Sequence, residues 1–396
     1  MLETFKNPSR NVIIAVFMIG TFAVGMTEYV VTGLLTQFAI DLNVEIATTG
    51  LLLSVYALSV TVFGPVIRLL TLKFSPKLLL IILISIFIVS NIVAATAPNF
   101  EVLLLSRLLS ATMHAPFFGV MMSLAMAISE PHKKTGAVAL VNGGLVISVM
   151  IGVPFGSFIG AAMSWRTVFW IIVLLGIITL IGLILTTPNY KIKDAPKIMD
   201  ELTVFKDKNV LLLIFTIIFG YSGVFTAYTF LEPMLRDITG MGNFGVAFSM
   251  LMFGTFAVIG NFSSGNIQPS RLTFMVTMTF LFLGIVLIFF TFMLENQILA
   301  FIASGLFGLG TFGISPMLNS KIIFAAITAP ALAGTLAASV FNLANSIGAT
   351  LGSLLLSNGL NYTQITIIAG IMLFFGVICM VITHFIEDKN RFLPNE

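Results

Sequence analysis

Apolar runs alternate with short polar breaks along the whole chain. Each run is close to the about 20 residues that a helix needs to cross a bilayer. They fall at Asn11–Ile40, Ala47–Leu70, Leu78–Ala97, Phe100–Ile128, Gly136–Ala162 and Thr167–Thr186. After a polar stretch they resume at Val210–Leu231, Phe244–Phe262, Leu272–Met293, Ile298–Met317, Ala331–Leu356 and Ile365–His384. The pattern predicts an all-α integral membrane protein of twelve transmembrane helices. In lipid every backbone polar group must be paired within the helix, so runs of this kind have no other way to fold. The polar stretch Thr187–Asn209 carries five lysines and four acids and separates two groups of six. The domains read as a six-helix bundle over 1–188, a loop over 189–209 and a second six-helix bundle over 210–396.

Composition narrows the class. The chain has 396 residues, of which 58% are hydrophobic and only 9% charged. Soluble domains carry about 25% charged residues. The net charge of +3 does not call for nucleic acid, because the basic residues are segregated by topology. With twelve spans both termini share one side. That side holds Lys6, Arg10, Arg68, Lys73, Lys77, Lys133, Lys134, the loop lysines, Arg271, Lys321, Lys389 and Arg391. The other side holds only Arg166 and Arg236, and Arg107 falls inside a span. Basic loops stay on the cytoplasmic side, so both termini and the long loop are expected in the cytoplasm of a multi-pass plasma-membrane protein. Lys6 and Arg10 precede an apolar run too long for a signal peptide, which predicts a retained first span. The single cysteine, Cys379, lies in an apolar run and offers no disulfide framework.

The fifth run has a ladder of small residues: Gly144, Ser148, Gly152, Gly156 and Gly160, with Pro154 among them. In lipid such a ladder lets a second helix backbone approach closely, and the proline bends the helix. Glu28 is the one acid deep within a run. An ionisable side chain there costs about 3 kcal/mol on insertion scales, so it marks a functional site or a structural pair with a neighbouring helix. Thr21, Gly25 and Thr32 share its helical face. Burial favours the protonated form of a carboxyl and a nearby cation the ionised form, so a glutamate held between them can take and release a proton. Arg107 and His114, seven residues apart on one face of the fourth run, supply the cation and a group that titrates near neutrality. Arg107 could also snorkel from the helix end or clamp backbone carbonyls. His114 could be a packing residue. Tyr221 and Tyr228 in the seventh run, and Asn342 and Asn345 in the eleventh, could orient a substrate or simply join helices.

The halves resemble each other. Gly348 and Gly352 echo the ladder, and the fourth run's HAPFFGVMMS is loosely matched by GLGTFGISPM. Parallel repeats of six spans are a transporter architecture. There is no GxSxG, HExxH, Walker loop or CxxC, which leaves an enzyme without a catalytic motif and a pump without a nucleotide site.

At these residues the chain resembles the major facilitator superfamily, and within it the twelve-span drug:proton antiporter branch near the arabinose-efflux-like members. GMTEYVVTGLL (Gly25–Leu35) is similar to the branch's first-span signature. SRLLSATMHAPFFGV (Ser106–Val120) resembles its fourth-span motif, with Arg107 at the motif arginine. GLVISVMIGVPFGSFIG resembles the fifth-span antiporter motif associated with export. SWRTVF (Ser164–Phe169) and FNLANSIGATLG (Phe341–Gly352) match the start of span six and the eleventh-span pattern. GPVIRLLTLKFSPK (Gly64–Lys77) stands at the cytoplasmic gate loop. It keeps the basic residues Arg68, Lys73 and Lys77 but lacks the acid usual in the superfamily. The resemblance implies a monomeric, proton-coupled exporter of a small neutral or cationic organic compound. It implies no cofactor beyond the proton gradient, no nucleic-acid partner and no enzyme activity. The residues alone leave open a facilitator or uncoupled exporter of a sugar, nucleoside or similar metabolite.

Overall fold

The computed structural model describes residues 9–71, 74–130, 134–188, 207–264, 267, 269–325 and 330–391. Among the described residues, twelve helices are long and apolar enough to span a bilayer. They are α1 (Arg10–Gly33), α2 (Ile46–Ile67), α3 (Pro76–Ala95), α4 (Phe100–Ala125), α5 (Leu140–Ala162), α6 (Trp165–Thr186), α7 (Lys208–Tyr228), α8 (Asn243–Ser264), α9 (Leu272–Leu294), α10 (Gln297–Ile322), α11 (Ala338–Ser357) and α12 (Tyr362–Phe385). No strand occurs among the described residues. The chain is a multi-pass membrane protein.

Polar breaks between the apolar runs start the helices. Ser75 accepts from the Leu78 amide ahead of Pro76, the first residue of α3. Ser164 accepts from the Arg166 amide at the start of α6. Asp207 accepts from the Asn209 and Val210 amides at the start of α7. Each satisfies amides that the first helical turn cannot pair internally. The outward faces are apolar: Trp170, Leu174 and Ile181 of α6 are exposed, as suits contact with lipid tails.

Two compact units make up the chain, Met1–Ala195 and Pro196–Glu396. In the first, α1 packs on α5 and α6, α2 on α4, and α3 on α4 and α6. In the second, α7 packs on α11 and α12, α8 on α10, and α9 on α10 and α12. The pairing scheme is the same, six helices later. The loop over 189–206 and Lys73 lie outside the described residues, as does the Arg68 side chain.

Four helices depart from the sequence expectation. The first run was expected to continue to Ile40. Instead it tightens into a 3₁₀ turn at Val30–Gly33, breaks at Leu34, and restarts as the short helix Leu35–Leu42. The Thr32 hydroxyl donates to the Tyr29 carbonyl at 2.7 Å, within the same turn. In α5 a π-helical turn covers Ser148–Gly152, with the Val153 amide bonded five residues back to the Ser148 carbonyl. The wider turn makes room before Pro154, which has no amide to donate and crowds the carbonyl four residues earlier. A second π turn, Ile217–Tyr221, lies in α7. Lys321 was expected in a loop. It lies within α10, buried, with its ammonium on the Thr273 hydroxyl.

Candidate transport site

In the first unit, three spans bring ionisable side chains together. Glu28 projects from α1, Tyr56 from α2, and Arg107 and His114 from α4. The Glu28 Oε2 stands 3.8 Å from His114 Nδ1, and the two side chains are 11% and 10% exposed. The Tyr56 hydroxyl is hydrogen-bonded to the same Nδ1 at 2.9 Å. The Arg107 guanidinium lies over the Tyr56 ring, 4.2 Å from its centroid. His114 stacks on Phe118 at 4.9 Å, one turn along α4. Arg107 is 1% exposed, which removes the snorkelling reading. Its Nε and Nη2 are buried and make no hydrogen bond, so it does not clamp carbonyls through those atoms either. A buried guanidinium with unpaired donors is costly, and a cation over an aromatic face offsets only about 2 kcal/mol. The opposite charge of Glu28, close enough to act on it electrostatically, supplies a further offset.

The polar face of α1 divides between two neighbours. Thr21 donates to the Val141 carbonyl on α5 at 2.6 Å, and Gly25 abuts Ser148 and Leu145 of the same helix. Thr32 is buried in its 3₁₀ turn. Glu28 of that expected stripe meets α4. Thr27 donates to Asn91 Oδ1 on α3 at 2.6 Å, which fixes α1 one residue before the glutamate.

The ladder of α5 lies along α1. A Cβ on Gly144 would strike the Met18 carbonyl and the Thr21 hydroxyl. On Gly152 it would meet Met26 Cγ at 2.7 Å, on Gly156 the Val30 side chain, and on Gly160 the Leu34 side chain. Ser148 bonds its own helix at the Leu145 carbonyl. Lys77 donates to the Ile184 carbonyl at 2.7 Å and so caps the C-terminal end of α6.

In the second unit the Tyr221 hydroxyl meets Ser315 Oγ at 3.1 Å, and its ring meets Phe341 edge-on at 5.0 Å. Tyr228 stacks on Phe253 at 4.8 Å. Asn342 donates to the Ala338 carbonyl at 3.0 Å, while Oδ1 of Asn342 and of Asn345 accepts no hydrogen bond. The tyrosines thus join α7 to α8, α10 and α11, and the asparagines hold the free acceptors.

A family model described as the Major Facilitator Superfamily matches residues 17–353. The chain belongs to the major facilitator superfamily. It is therefore a membrane transporter and not an enzyme. Among superfamily members, the MFS-type transporter YfhI of Bacillus subtilis (strain 168) is 40% identical, with 98% of each chain covered. A probable sugar efflux transporter of Helicobacter pylori (strain ATCC 700392 / 26695) is 29% identical over 88% of this chain and 89% of its own length. The crystal structure of a bacterial homologue of the human lysosomal transporter Spinster is 14% identical, covers 99% of this chain and 100% of its own, and superposes with a TM-score of 0.73. At that identity it shows the fold.

Sequence reasoning missed three residues that the superfamily fold brings into play. Tyr56 stands in an apolar run where the polar residues at helical spacing, Thr49 and Ser59, carry no ionisable group. Glu232 is fully buried and paired with Arg236 one turn on, just past α7 in the short helix Leu231–Asp237. Asp41 receives Trp165 Nε1 at 2.9 Å and also Arg166, whose Nη2 reaches the Ala97 carbonyl at 2.9 Å. The Arg166 guanidinium bonded to it holds the Asp41 carboxyl below the ordinary aspartate value. The second unit repeats this latch, since Tyr362 donates to Asp237 Oδ2 at 3.1 Å. A single offset of 196 residues relates Asp41 to Asp237, Arg166 to Tyr362, Gly152 to Gly348 and Gly156 to Gly352. SWRTVF therefore carries the partner of an acid that a search for intramembrane charges passes over.

Proposed function

We propose that the chain exports a small neutral or cationic organic compound in exchange for protons, by alternating access. The observation that carries this reading is the meeting of Glu28, Arg107 and His114 in one cluster between two spans, α1 and α4. Glu28 carries the proton. Arg107 stabilises the carboxylate when the proton leaves, Tyr29 of the same helix is hydrogen-bonded to it, and His114 stands 3.8 Å away. The α5 ladder is the seam along which α1 moves, which fits the antiporter motif it resembles. Asn342 and Asn345, with free amide oxygens, accept hydrogen bonds from the substrate. A hydroxylated or ammonium-bearing compound suits those acceptors, and the name of the Helicobacter relative supports a sugar among the compounds to try first.

The test is transport by the purified protein in lipid vesicles. Lipophilic cations, sugars and nucleosides are each offered with and without an imposed pH gradient. Uphill movement of one class is expected, and it should collapse when a protonophore dissipates the gradient. Movement that survives dissipation would favour the facilitator reading.

We place the protein in the plasma membrane with both termini in the cytoplasm, on the distribution of its basic residues. A reporter fused after Pro196 should be cytoplasmic, and a tag inserted between Asn296 and Gln297 should be accessible from outside. A reporter at Pro196 found outside would overturn the orientation.

A further inference from the structure

His114 is reached by two neighbours that compete for one atom. An imidazole Nδ1 offers a single in-plane position, a lone pair or an N–H according to tautomer. The Tyr56 hydroxyl fills it at 2.9 Å, whichever of the two donates. The Glu28 Oε2 lies 3.8 Å from the same nitrogen, beyond hydrogen-bonding reach. The tyrosine is held there from several directions. Arg107 covers its ring, and its body packs with Val60, Ala111 and Ala115 in the seam between α2 and α4. The imidazole is held by its stack on Phe118. Among the described residues, the ionisable groups facing His114 are Glu28 from α1, Tyr56 from α2 and Arg107 from its own helix; α5 carries none.

We propose that Tyr56 is a positioning residue that keeps Glu28 and His114 apart by occupying Nδ1, and that release of its hydroxyl joins them. The proposal rests on the reading of Glu28 as the proton carrier. A shift of α2 against α4 frees Nδ1. With the imidazole hydrogen on Nε2 and Tyr56 as the donor, the freed Nδ1 carries a lone pair; the proton on Glu28 then passes to it, leaving a carboxylate facing an imidazolium, while Tyr56 keeps its own proton. The order of events becomes proton uptake at Glu28, loosening of the α2–α4 seam, and transfer to His114.

The experiment uses dicyclohexylcarbodiimide, which reacts with protonated carboxyl groups in lipid, on the full chain in phospholipid vesicles. Labelling of Glu28 is read by mass spectrometry, with Glu28→Gln as the blank. Tyr56→Phe keeps the ring beneath Arg107 and removes only the hydroxyl. At neutral pH it should label Glu28 several-fold more slowly, because the opened Nδ1 engages the carboxyl proton that the reagent needs. The slowing should vanish when His114→Gln is added. Equal rates in the wild type and Tyr56→Phe, or slowing that persists without His114, would overturn the proposal. A measurement that needs no transport or labelling separates its failure from that of the proton-carrier reading. The ¹⁵N signal of His114 Nδ1, assigned by its loss in His114→Gln, should move on Tyr56→Phe and stay in place on Glu28→Gln. The converse result overturns the role of Tyr56. Absence of labelling in the wild type removes Glu28 as carrier and leaves the nitrogen spectrum to decide Tyr56.

Discussion

Glu28→Gln is expected to abolish pH-driven accumulation of substrate and to leave downhill exchange working. Glutamine keeps the length of the side chain and two hydrogen-bonding groups, but it cannot titrate. One pH unit is worth about 1.4 kcal/mol for each proton moved. For an exchange of one proton per neutral substrate molecule, that sustains about a tenfold concentration ratio. The variant should sustain none, at any imposed gradient. Its exchange of labelled for unlabelled substrate should remain near the wild-type rate, because binding and helix motion do not require the proton itself. The measurement is flux in vesicles, wild type beside variant, across several pH gradients. An unchanged accumulation ratio would make Glu28 a structural partner of Arg107, and the proton site would then have to be sought at His114. The prediction is sharp because Arg107 leaves Nε and Nη2 unbonded in a buried setting. At those two atoms Arg107 lacks the hydrogen bonds that a purely structural ion pair collects around itself.

The twelve spans were legible because lipid allows a chain only one economical solution. Apolar length alone predicts a helix, and the basic loops count the crossings. What could not be read are places where two helices negotiate. The end of α1 falls at a 3₁₀ turn inside the first apolar run, where Thr32 and Gly33 alone interrupt four apolar residues and leave the hydropathy of Val30–Leu35 high. Glu28, Arg107 and His114 were readable because a charged or titratable residue in an apolar run is conspicuous. The shared face of Glu28, Thr21 and Gly25 was also readable, but its meaning was not. Helical spacing cannot say that Thr21 and Gly25 meet α5 while Glu28 meets α4. Tyr56 is the clearest omission. A tyrosine in an apolar run is ordinary packing until a partner on another helix is known. Lys77 was assigned to a gate by its position in the loop, and the structure instead gives it the Ile184 carbonyl, 107 residues away in sequence.

The other large effect is expected at the glycines, and the shared offset makes it comparable between units. Gly152 and Gly348 occupy matched places, yet their obstacles differ in kind. A Cβ on Gly152 meets Met26 Cγ at 2.7 Å, part of a flexible side chain. A Cβ on Gly348 runs into the Ser222 backbone carbonyl and approaches the Thr226 amide at 3.0 Å. Backbone cannot change rotamer, so only separation of α7 from α11 relieves that clash. Overpacking of one methyl group costs about 1–3 kcal/mol, with the upper end where nothing can yield. Gly152→Ala should therefore retain most transport, and Gly348→Ala should lose most of it. Gly156→Leu, which drives a branched chain against Val30 and Val168, should lose essentially all of it. All three should still insert, because an added apolar side chain does not weaken a transmembrane span. The measurement pairs vesicle flux with membrane-fraction abundance for each variant. Equal activity of Gly152→Ala and Gly348→Ala would show that α7 and α11 separate as readily as a methionine turns. Full activity of Gly156→Leu would show that α1 and α5 need not touch during transport.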